Sequence, residues 1–444
     1  MAKFIGLDVH KRVVQAAVLH DDTGEVEEGF RFDCTPAALR EFCGKHVAHG
    51  DSVALESTTN CWAVAAILRE FTDKVMVSNP LRTKLIAQSK HKCDRVDALV
   101  LAQLLAADFL PGVWEPDAAT REKRELSSRR AALVQDRTAI KNRLHAVLAQ
   151  RLLSFEGGRL FSKAGLEYLK TAQLDTAGRA CLDADLALLE GVEAQIAKLD
   201  QLLVKLAHGD VAARLLVTLP GFDFAGAVAI VAATGDIKRF PDGKRFAAYF
   251  GLVPSTKQSA DTTYHGPITK QGRSHARWVF CQAAQHLANN PGPLGAFFRR
   301  IASKKNRNVA VVACAHKLAV IAWHLLTKQE PYRYADPFAV AAKLSRIRVC
   351  ATGKQRRRGP AKGAPQAVNE TPGLRWRSVK SLDDVLAAEG MPARTAPPPG
   401  EAAFLERQGL SDAVAALTAA RRWRRAPTTH AADGHHPSAS DEGS

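Results

Sequence analysis

The sequence predicts a mixed α/β region at the N-terminus, followed by a mostly helical region. Over about the first hundred residues, short apolar runs alternate with helical periodicities, and beyond them apolar residues recur at helical spacing. The 444 residues are 46% hydrophobic and 24% charged, a globular composition, and the length corresponds to roughly two to four domains.

Charge and cysteine usage narrow the class of protein. The formal net charge of +17 and the pI near 9.7 indicate a polyanionic partner, with nucleic acid as the default. Eight cysteines without a CxxC pair argue against a disulfide scaffold and a zinc finger, and favour a reducing, intracellular compartment. Because no apolar run reaches 18 residues and the N-terminus enters a strand pattern at once, we expect neither a membrane span nor a secretory signal.

The N-terminal elements have a definite order. Strand patterns at residues 4–9, 13–19 and 26–32 predict an antiparallel meander, and further strands follow at 52–55 and 74–77. Helical patterns cover residues 36–46, 62–71 and 96–107. Three strands followed by helices that alternate with strands match the ribonuclease-H-like order.

Two long helices with heptad spacing come next. One repeat places apolar residues at Leu126, Leu133, Ile140 and Val147, and the other at Leu182, Leu189, Ile196 and Leu203. This spacing predicts an antiparallel coiled-coil hairpin. Two alternatives stay open: a seam that pairs with a second copy of the chain, and two core helices of a bundle.

The C-terminal half contains two candidate nucleic-acid-binding segments. The turn at Pro220-Gly221 resembles a helix-hairpin-helix, in which backbone amides contact phosphates. The later segment GPITKQGRSHARWVF places Lys270, Arg273 and Arg277 before or at the start of a helix. Residues 345–444 are rich in basic, Pro, Gly and Ala residues, so we predict a largely disordered tail with a short helix near 402–425.

Four acids are candidate metal ligands. Asp8 interrupts an apolar strand, where a charge is costly unless it is compensated, and Glu56 ends the fourth strand. The first and fourth strands are neighbours in a ribonuclease-H-like sheet, so these two residues are expected to be close. Asp94 and Asp97 share one face at the start of a helix. Such a cluster suits Mg²⁺, and two such ions clamp the attacking and leaving oxygens of a phosphodiester.

Simpler interpretations exist for each residue. A strand-end acid is usually a turn residue, and Asp94 and Asp97 would also suit a helix cap and its dipole. Lys90, Lys92 and Arg95 surround the two aspartates and would hold a phosphate backbone, or form a solvated face. The functional interpretation depends on the whole set, in order, on elements of the right type.

The motifs together resemble a known family. GLDVHK, ALEST, Asn79-Pro80 before KCDRVDA, and the later run of GDIKRF, GLVP and GPITKQG are similar to the DEDD transposases of bacterial insertion sequences and to Piv-type DNA invertases. The resemblance covers roughly residues 3–330. It implies a RuvC-like domain at 1–120, a coiled-coil linker at 121–210, a transposase domain with a helix-hairpin-helix-like segment at 211–330 and a basic tail at 331–444. Asp8, Glu56, Asp94 and Asp97 would then be the four Mg²⁺ ligands.

The family resemblance also implies a catalytic serine after GLVP. Ser259 fits best, although Ala260 replaces the usual glycine, and Ser255 is the competing residue. A serine hydroxyl needs a base or a metal to become a good nucleophile. Activated by the four-acid site, it would form a 5′-phosphoserine intermediate, which conserves the bond energy for rejoining strands.

The resemblance therefore implies a bacterial, nucleoid-associated DNA transposase. It would bind donor and target DNA, be guided by a structured non-coding RNA and act as a homodimer or tetramer with composite sites. One alternative is a junction-resolving or DNA-inverting nuclease that uses water as its nucleophile. Another is an inert nucleic-acid-binding remnant.

Overall fold

The computed structural model describes residues 2–86, 93–259, 262–353 and 375–425. The chain divides into two compact units, Met1–Asp117 and Ala118–Ser444. The first unit is mixed α/β and the second is mostly helical, which confirms the predicted fold class at this level.

The first unit is built on a five-stranded sheet. Its strands are β1 (Lys3–Val9), β2 (Val13–His20), β3 (Val26–Asp33), β4 (Ser52–Glu56) and β5 (Lys74–Ser78). The strand order is β3-β2-β1-β4-β5, with antiparallel pairing among β1, β2 and β3 and parallel pairing of β4 with β1 and β5. The predicted strands are confirmed, with bounds that differ by no more than one residue at either end.

Helices pack on the sheet. They are α1 (Pro36–His46), α2 (Cys61–Leu68), α3 (Pro80–Ile86) and α4 (Asp94–Ala106). The buried odd-numbered residues of β1, such as Ile5 and Leu7, share a core with α1 and α2. Because side chains alternate along a strand, Gly6 and Asp8 belong to the opposite face. There α4 crosses β1 so closely that a Cβ on Gly6 would lie 1.9 Å from the Ala98 carbonyl oxygen.

The second unit begins with a helical hairpin. Its helices are α5 (Ala118–Ala149), α6 (Lys163–Thr171) and α7 (Thr176–Gly209). Ion pairs show that α5 and α7 run antiparallel, since Arg130 contacts Asp200 at 2.6 Å while Arg143 contacts Asp185 at 2.6 Å. All four predicted seam residues of α7 are buried, whereas α5 buries Leu133 and Ile140 together with Leu144 and Leu148.

Further helices enclose a large apolar core. In chain order the elements are α8 (Val211–Val217), α9 (Phe224–Thr234), α10 (Gly243–Tyr249), β6 (Pro254–Ser259), β7 (Thr262–Ile268), α11 (Ser274–Gln285), α12 (Pro293–Lys304), α13 (Arg307–Lys328) and α14 (Pro337–Thr352). Among the described residues, α13 alone is long and apolar enough to cross a bilayer, but half of its most apolar window is buried. Because its buried residues belong to the core shared with α8, α9 and α11, we interpret α13 as a core helix.

The tail differs from the prediction of disorder over the residues that are described. Besides α14, it forms β8 (Arg375–Val379), α15 (Leu382–Ala388), α16 (Pro399–Arg407), α17 (Ser411–Thr418) and β9 (Arg421–Arg425). Leu382, Val385 and Leu405 are buried in the main core. Arg333 anchors this segment, because its guanidinium donates to Glu401 Oε2 at 2.9 Å and to Glu330 Oε1 at 2.8 Å. Scattered apolar residues in a Pro- and Ala-rich context gave no periodicity from which this packing was predictable.

Candidate active site

Asp8 and Glu56 occupy neighbouring strands at the same edge of the sheet. The parallel register pairs Leu7 with Leu55, so that Asp8 and Glu56 each come one residue after this last pair. Both side chains are half-buried. This placement agrees with the expectation from strand order, since the carboxyl ends of adjacent parallel strands meet at one edge.

Helix α4 brings two further acids to Asp8. Asp94 and Asp97 lie in its first turn. They are three residues apart, so they share one face of the helix. The close packing of α4 on Gly6 sets the helix N-terminus beside the end of β1. Electrostatics reflects this proximity: burial raises the pKa of the Asp8 carboxyl above its ordinary value, and the charges of Asp94 and Asp97 raise it further.

His10 lies between two of the acids, and the sequence interpretation did not include it. Its Nε2 is 3.2 Å from Asp8 Oδ2 and 3.3 Å from Asp94 Oδ2. The charge of His10 and its hydrogen bond lower the pKa of Asp8, against the larger effect of burial. The available signal was its spacing in GLDVHK, because residues two apart near a strand end share a face.

These side chains fit a divalent cation. One ligand atom each from Asp8, His10 and Asp94 lies within 4.8 Å of the others. Carboxylate oxygens are the ligands that Mg²⁺ prefers, and an imidazole nitrogen is acceptable to Mn²⁺ and other transition metals. A half-buried carboxyl whose pKa is raised by burial and, to a smaller extent, by neighbouring acids is also a position where a cation would relieve repulsion.

The predicted cations around α4 have different surroundings. Arg95 is exposed and approaches Glu28, with 3.6 Å between Arg95 Nη2 and Glu28 Oε2. Lys90 and Lys92 lie outside the described residues. The structure therefore bears on Arg95 alone among these three, and gives it a weak ion pair on the surface of the first unit.

The candidate serines lie on the hairpin of β6 and β7 in the second unit. Ser259 ends β6 opposite Thr262 and is exposed, with residues 260 and 261 between them outside the described residues. Ser255 is half-buried, and its hydroxyl donates to the Pro267 carbonyl oxygen at 3.1 Å. The Ser255 hydroxyl thus supports the hairpin, whereas Ser259 stands at its exposed end.

A basic and aromatic surface follows the hairpin. Lys270 and Arg273 are exposed, and Arg273 Nε donates to the Tyr249 hydroxyl at 3.3 Å. Arg277 is half-buried and donates to the carbonyl oxygens of Phe250 and Gln271 at 3.1 and 3.3 Å, which is a local structural role. Sequence reasoning missed two exposed aromatics of the same segment, Tyr264 and Trp278, although WVF follows the basic run in the sequence.

The predicted helix-hairpin-helix turn joins α8 to α9. Gly221 is exposed and has φ of +80°, and a Cβ there would lie 2.4 Å from the Ala283 carbonyl oxygen. Glycine is therefore required both by the backbone conformation and by the packing on α11. Asp223 caps α9, accepting a hydrogen bond from the Gly226 amide at 2.7 Å.

Two family models match parts of the chain. A family model for the IS110-type DEDD domain, described as a transposase, matches residues 5–152. A second model, described as a transposase of the IS116/IS110/IS902 family, matches residues 213–298.

Individual proteins are similar over most of the chain. A "Probable family 20 transposase" of Pseudomonas aeruginosa is 27% identical over 74% of this chain and 98% of its own length. The transposase for insertion sequence element IS1111A of Coxiella burnetii is 24% identical over 74% of this chain and 91% of its own length. The pilin gene-inverting protein of Moraxella bovis is 24% identical over 74% of this chain and 97% of its own length.

Proposed function

Because this chain belongs to the DEDD transposases of the IS110/IS116/IS902 type, which act by cutting and rejoining DNA, we propose that its first unit is a RuvC-like nuclease domain with its active site at Asp8, Glu56, Asp94 and Asp97. The order of the five strands supports the RuvC-like assignment. The observation that carries the proposal is the convergence of Asp8 with Asp94 and His10 at the end of β1.

The four acids would hold a divalent metal ion, and we propose Mg²⁺. When bound, that ion would lower the pKa of a coordinated hydroxyl and neutralise charge on the phosphodiester. His10 is placed to orient the carboxylates of Asp8 and Asp94 by its contacts of 3.2 and 3.3 Å.

We propose Ser259 as the nucleophile. Its Oγ would form a bond to the scissile phosphorus as the bond from phosphorus to O3′ breaks, and the serine proton would end on the released 3′ hydroxyl. The product is a 5′-phosphoserine with the energy of the original bond retained for rejoining. Ser259 is exposed, whereas the Ser255 hydroxyl donates a hydrogen bond to the Pro267 carbonyl oxygen. This difference favours Ser259 as the nucleophile.

Donor and target DNA, a guide RNA and a second protomer complete the proposal. The net charge of +17 and the surface at Lys270 and Arg273, with Tyr264 and Trp278 exposed nearby, support binding to a nucleic acid backbone and stacking on bases. We propose that a structured RNA encoded beside the gene selects the DNA, and that a dimer or tetramer supplies composite sites.

Covalent trapping tests the serine mechanism. Protein, the transcript of the adjacent non-coding region, Mg²⁺ and end-labelled donor-junction DNA are incubated and then denatured. We expect a labelled protein band with the wild type and with Ser255→Ala, and none with Ser259→Ala or Asp8→Ala. A band lost only in Ser255→Ala would make Ser255 the nucleophile.

The same experiment separates the alternatives. Cleavage without any covalent band would favour a nuclease that uses water, as a junction-resolving or DNA-inverting enzyme would. The similarity to a pilin gene-inverting protein favours this second candidate over an inert remnant. Binding without cleavage, with the transcript present, would leave the nucleic-acid-binding remnant.

A further inference from the structure

The ammonium of Lys343 on α14 lies inside the turn that joins α8 to α9. Its Nζ donates to three main-chain carbonyl oxygens, those of Val217 at 2.6 Å, Leu219 at 2.9 Å and Phe222 at 3.0 Å. An ammonium carries three donors, so this single turn uses its full hydrogen-bonding capacity.

Three carbonyl oxygens that converge on one point form a set of ligands that suits a monovalent cation. In ion-selective proteins, main-chain carbonyls replace the hydration shell of potassium in this manner. Here the cation is covalently attached through α14, and placing it there is costly, because burial lowers the pKa of Lys343 to about 8. The charges of Asp223 and Asp336 offset part of that cost.

The inward carbonyl of Phe222 determines where the next amide points. In a trans peptide the C=O and the following N–H point in opposite directions, so the bond from Phe222 to Lys343 directs the Asp223 amide away from the ammonium. Within the described part of the chain, neither the Gly221 nor the Asp223 amide has a hydrogen-bond acceptor. The next residues begin α9, whose first-turn amides are the usual partners of an anion.

The acidic residue of the turn does not oppose an anion strongly. The Asp223 carboxylate accepts from the Gly226 amide at 2.7 Å, as a helix cap. The charge of Asp223 also acts on Lys343, whose pKa it raises against the larger effect of burial. The turn therefore combines an exposed glycine with an Asp223 amide that is directed away from the ammonium of Lys343.

We propose that Lys343 is a tethered cation in the place of an alkali-metal ion, and that it holds residues 217–223 in the conformation that binds a backbone phosphate of DNA. The proposal rests on the proposed function for the identity of the bound polyanion. Lys343 is a positioning residue, because it acts through the carbonyls of the turn.

Replacing the tethered cation by a free one is the test. The full-length protein is prepared as wild type, as Lys343→Ala and as Lys304→Ala, which removes an exposed lysine of α12 as a control for charge. The affinity for a fluorescent DNA duplex and the melting temperature are measured in potassium chloride and in choline chloride at equal ionic strength. Choline is too large to enter the turn.

We expect Lys343→Ala to bind the duplex on the order of tenfold more weakly than Lys304→Ala in choline chloride. Potassium should restore most of that affinity and raise the melting temperature of Lys343→Ala alone, by binding its folded state. Affinity and melting that do not depend on the identity of the cation would overturn the proposal.

Two further outcomes remain decisive. If Lys343→Ala is insoluble in both salts, it is replaced by Lys343→Met, whose side chain fills the same space. Weaker duplex binding by Lys343→Met at an unchanged melting temperature supports the proposal. Unchanged duplex binding overturns it. If the wild type itself fails to bind the duplex, the proposed function fails, while the potassium dependence of melting still decides whether the turn is a cation site.

Discussion

At the scale of single residues, the candidate active site brings several acidic side chains together at a half-buried position. Asp8, Asp94 and Asp97 are close enough for the last two to raise the pKa of the first, and His10 bridges Asp8 and Asp94. A protein retains such an arrangement at a cost in stability, and a cation is the simplest compensation. Function and stability should therefore respond to Asp8 in opposite directions.

Asp8→Asn tests this opposition. We expect cleavage of donor DNA to fall by a factor of about 10³ or more, because one carboxylate of the proposed metal site is lost. In the absence of divalent cations the melting temperature should stay the same or rise, since the amide removes a buried charge and its repulsion with Asp94 and Asp97. Calorimetry and a gel cleavage assay measure the two effects, and a lower melting temperature would contradict this account.

At the scale of elements, two junctions position the functional residues. The first is the packing of α4 on β1 at Gly6, which brings the first turn of α4 to Asp8. The second is the contact of α14 with the turn after α8, made by Lys343. In both cases a residue that takes no part in the proposed chemistry decides where the proposed functional groups lie.

Gly6→Ala should push α4 away from β1. The new Cβ would meet the Ala98 carbonyl oxygen at 1.9 Å, and a backbone atom cannot move aside as a flexible side chain does. We expect a loss of about 3 kcal/mol in the free energy of unfolding together with a loss of cleavage. Gly44→Ala in α1, where a Cβ meets nothing within 4 Å, is the matched control, expected to gain roughly 0.5–1 kcal/mol.

The second junction predicts a dependence on pH. The folded pKa of Lys343, about 8, lies below its ordinary value of 10.5, because burial outweighs the charges of Asp223 and Asp336. Between these two values the unfolded chain binds more protons, so stability rises with pH. We expect the difference in free energy of unfolding between wild type and Lys343→Met to be constant below pH 8 and to grow in favour of the wild type above it, by at most about 3 kcal/mol. Urea unfolding at several pH values measures this difference, and a flat profile would contradict it.

At the scale of the whole molecule, charge governs the partner. A net charge of +17 does not stabilise the fold, but it attracts a polyanion. Lys270 and Arg273 expose part of that charge in the same segment of the chain as the exposed aromatics Tyr264 and Trp278. We therefore expect nucleic acid affinity to depend steeply on salt, with this surface responsible for a measurable share of the dependence.

The salt dependence can be assigned by paired variants. The double variant Lys270→Ala/Arg273→Ala should lower the slope of log affinity against log salt concentration by about 2, since each lost phosphate contact removes about one released counterion. Lys198→Ala/Lys304→Ala removes two exposed lysines from α7 and α12 and should leave the slope nearly unchanged. Equal slopes in both double variants would place the phosphate contacts elsewhere.

The sequence by itself determined the order and type of the N-terminal elements, because strand and helix periodicities are local properties of the chain. It also indicated the acids as candidates, since Asp8 interrupts an apolar strand and the four acids follow one another on elements of the expected type. The burial of Leu182, Leu189, Ile196 and Leu203 likewise followed from their spacing alone.

Only the tertiary structure decided which distant groups meet. His10 joined the acids because the turn after β1 faces the start of α4, and Ser255 was distinguished from Ser259 by a bond across the hairpin to Pro267. Lys343 meets the turn after α8 across more than a hundred residues of sequence. No local pattern encodes such contacts, because they arise from the packing of whole elements on one another.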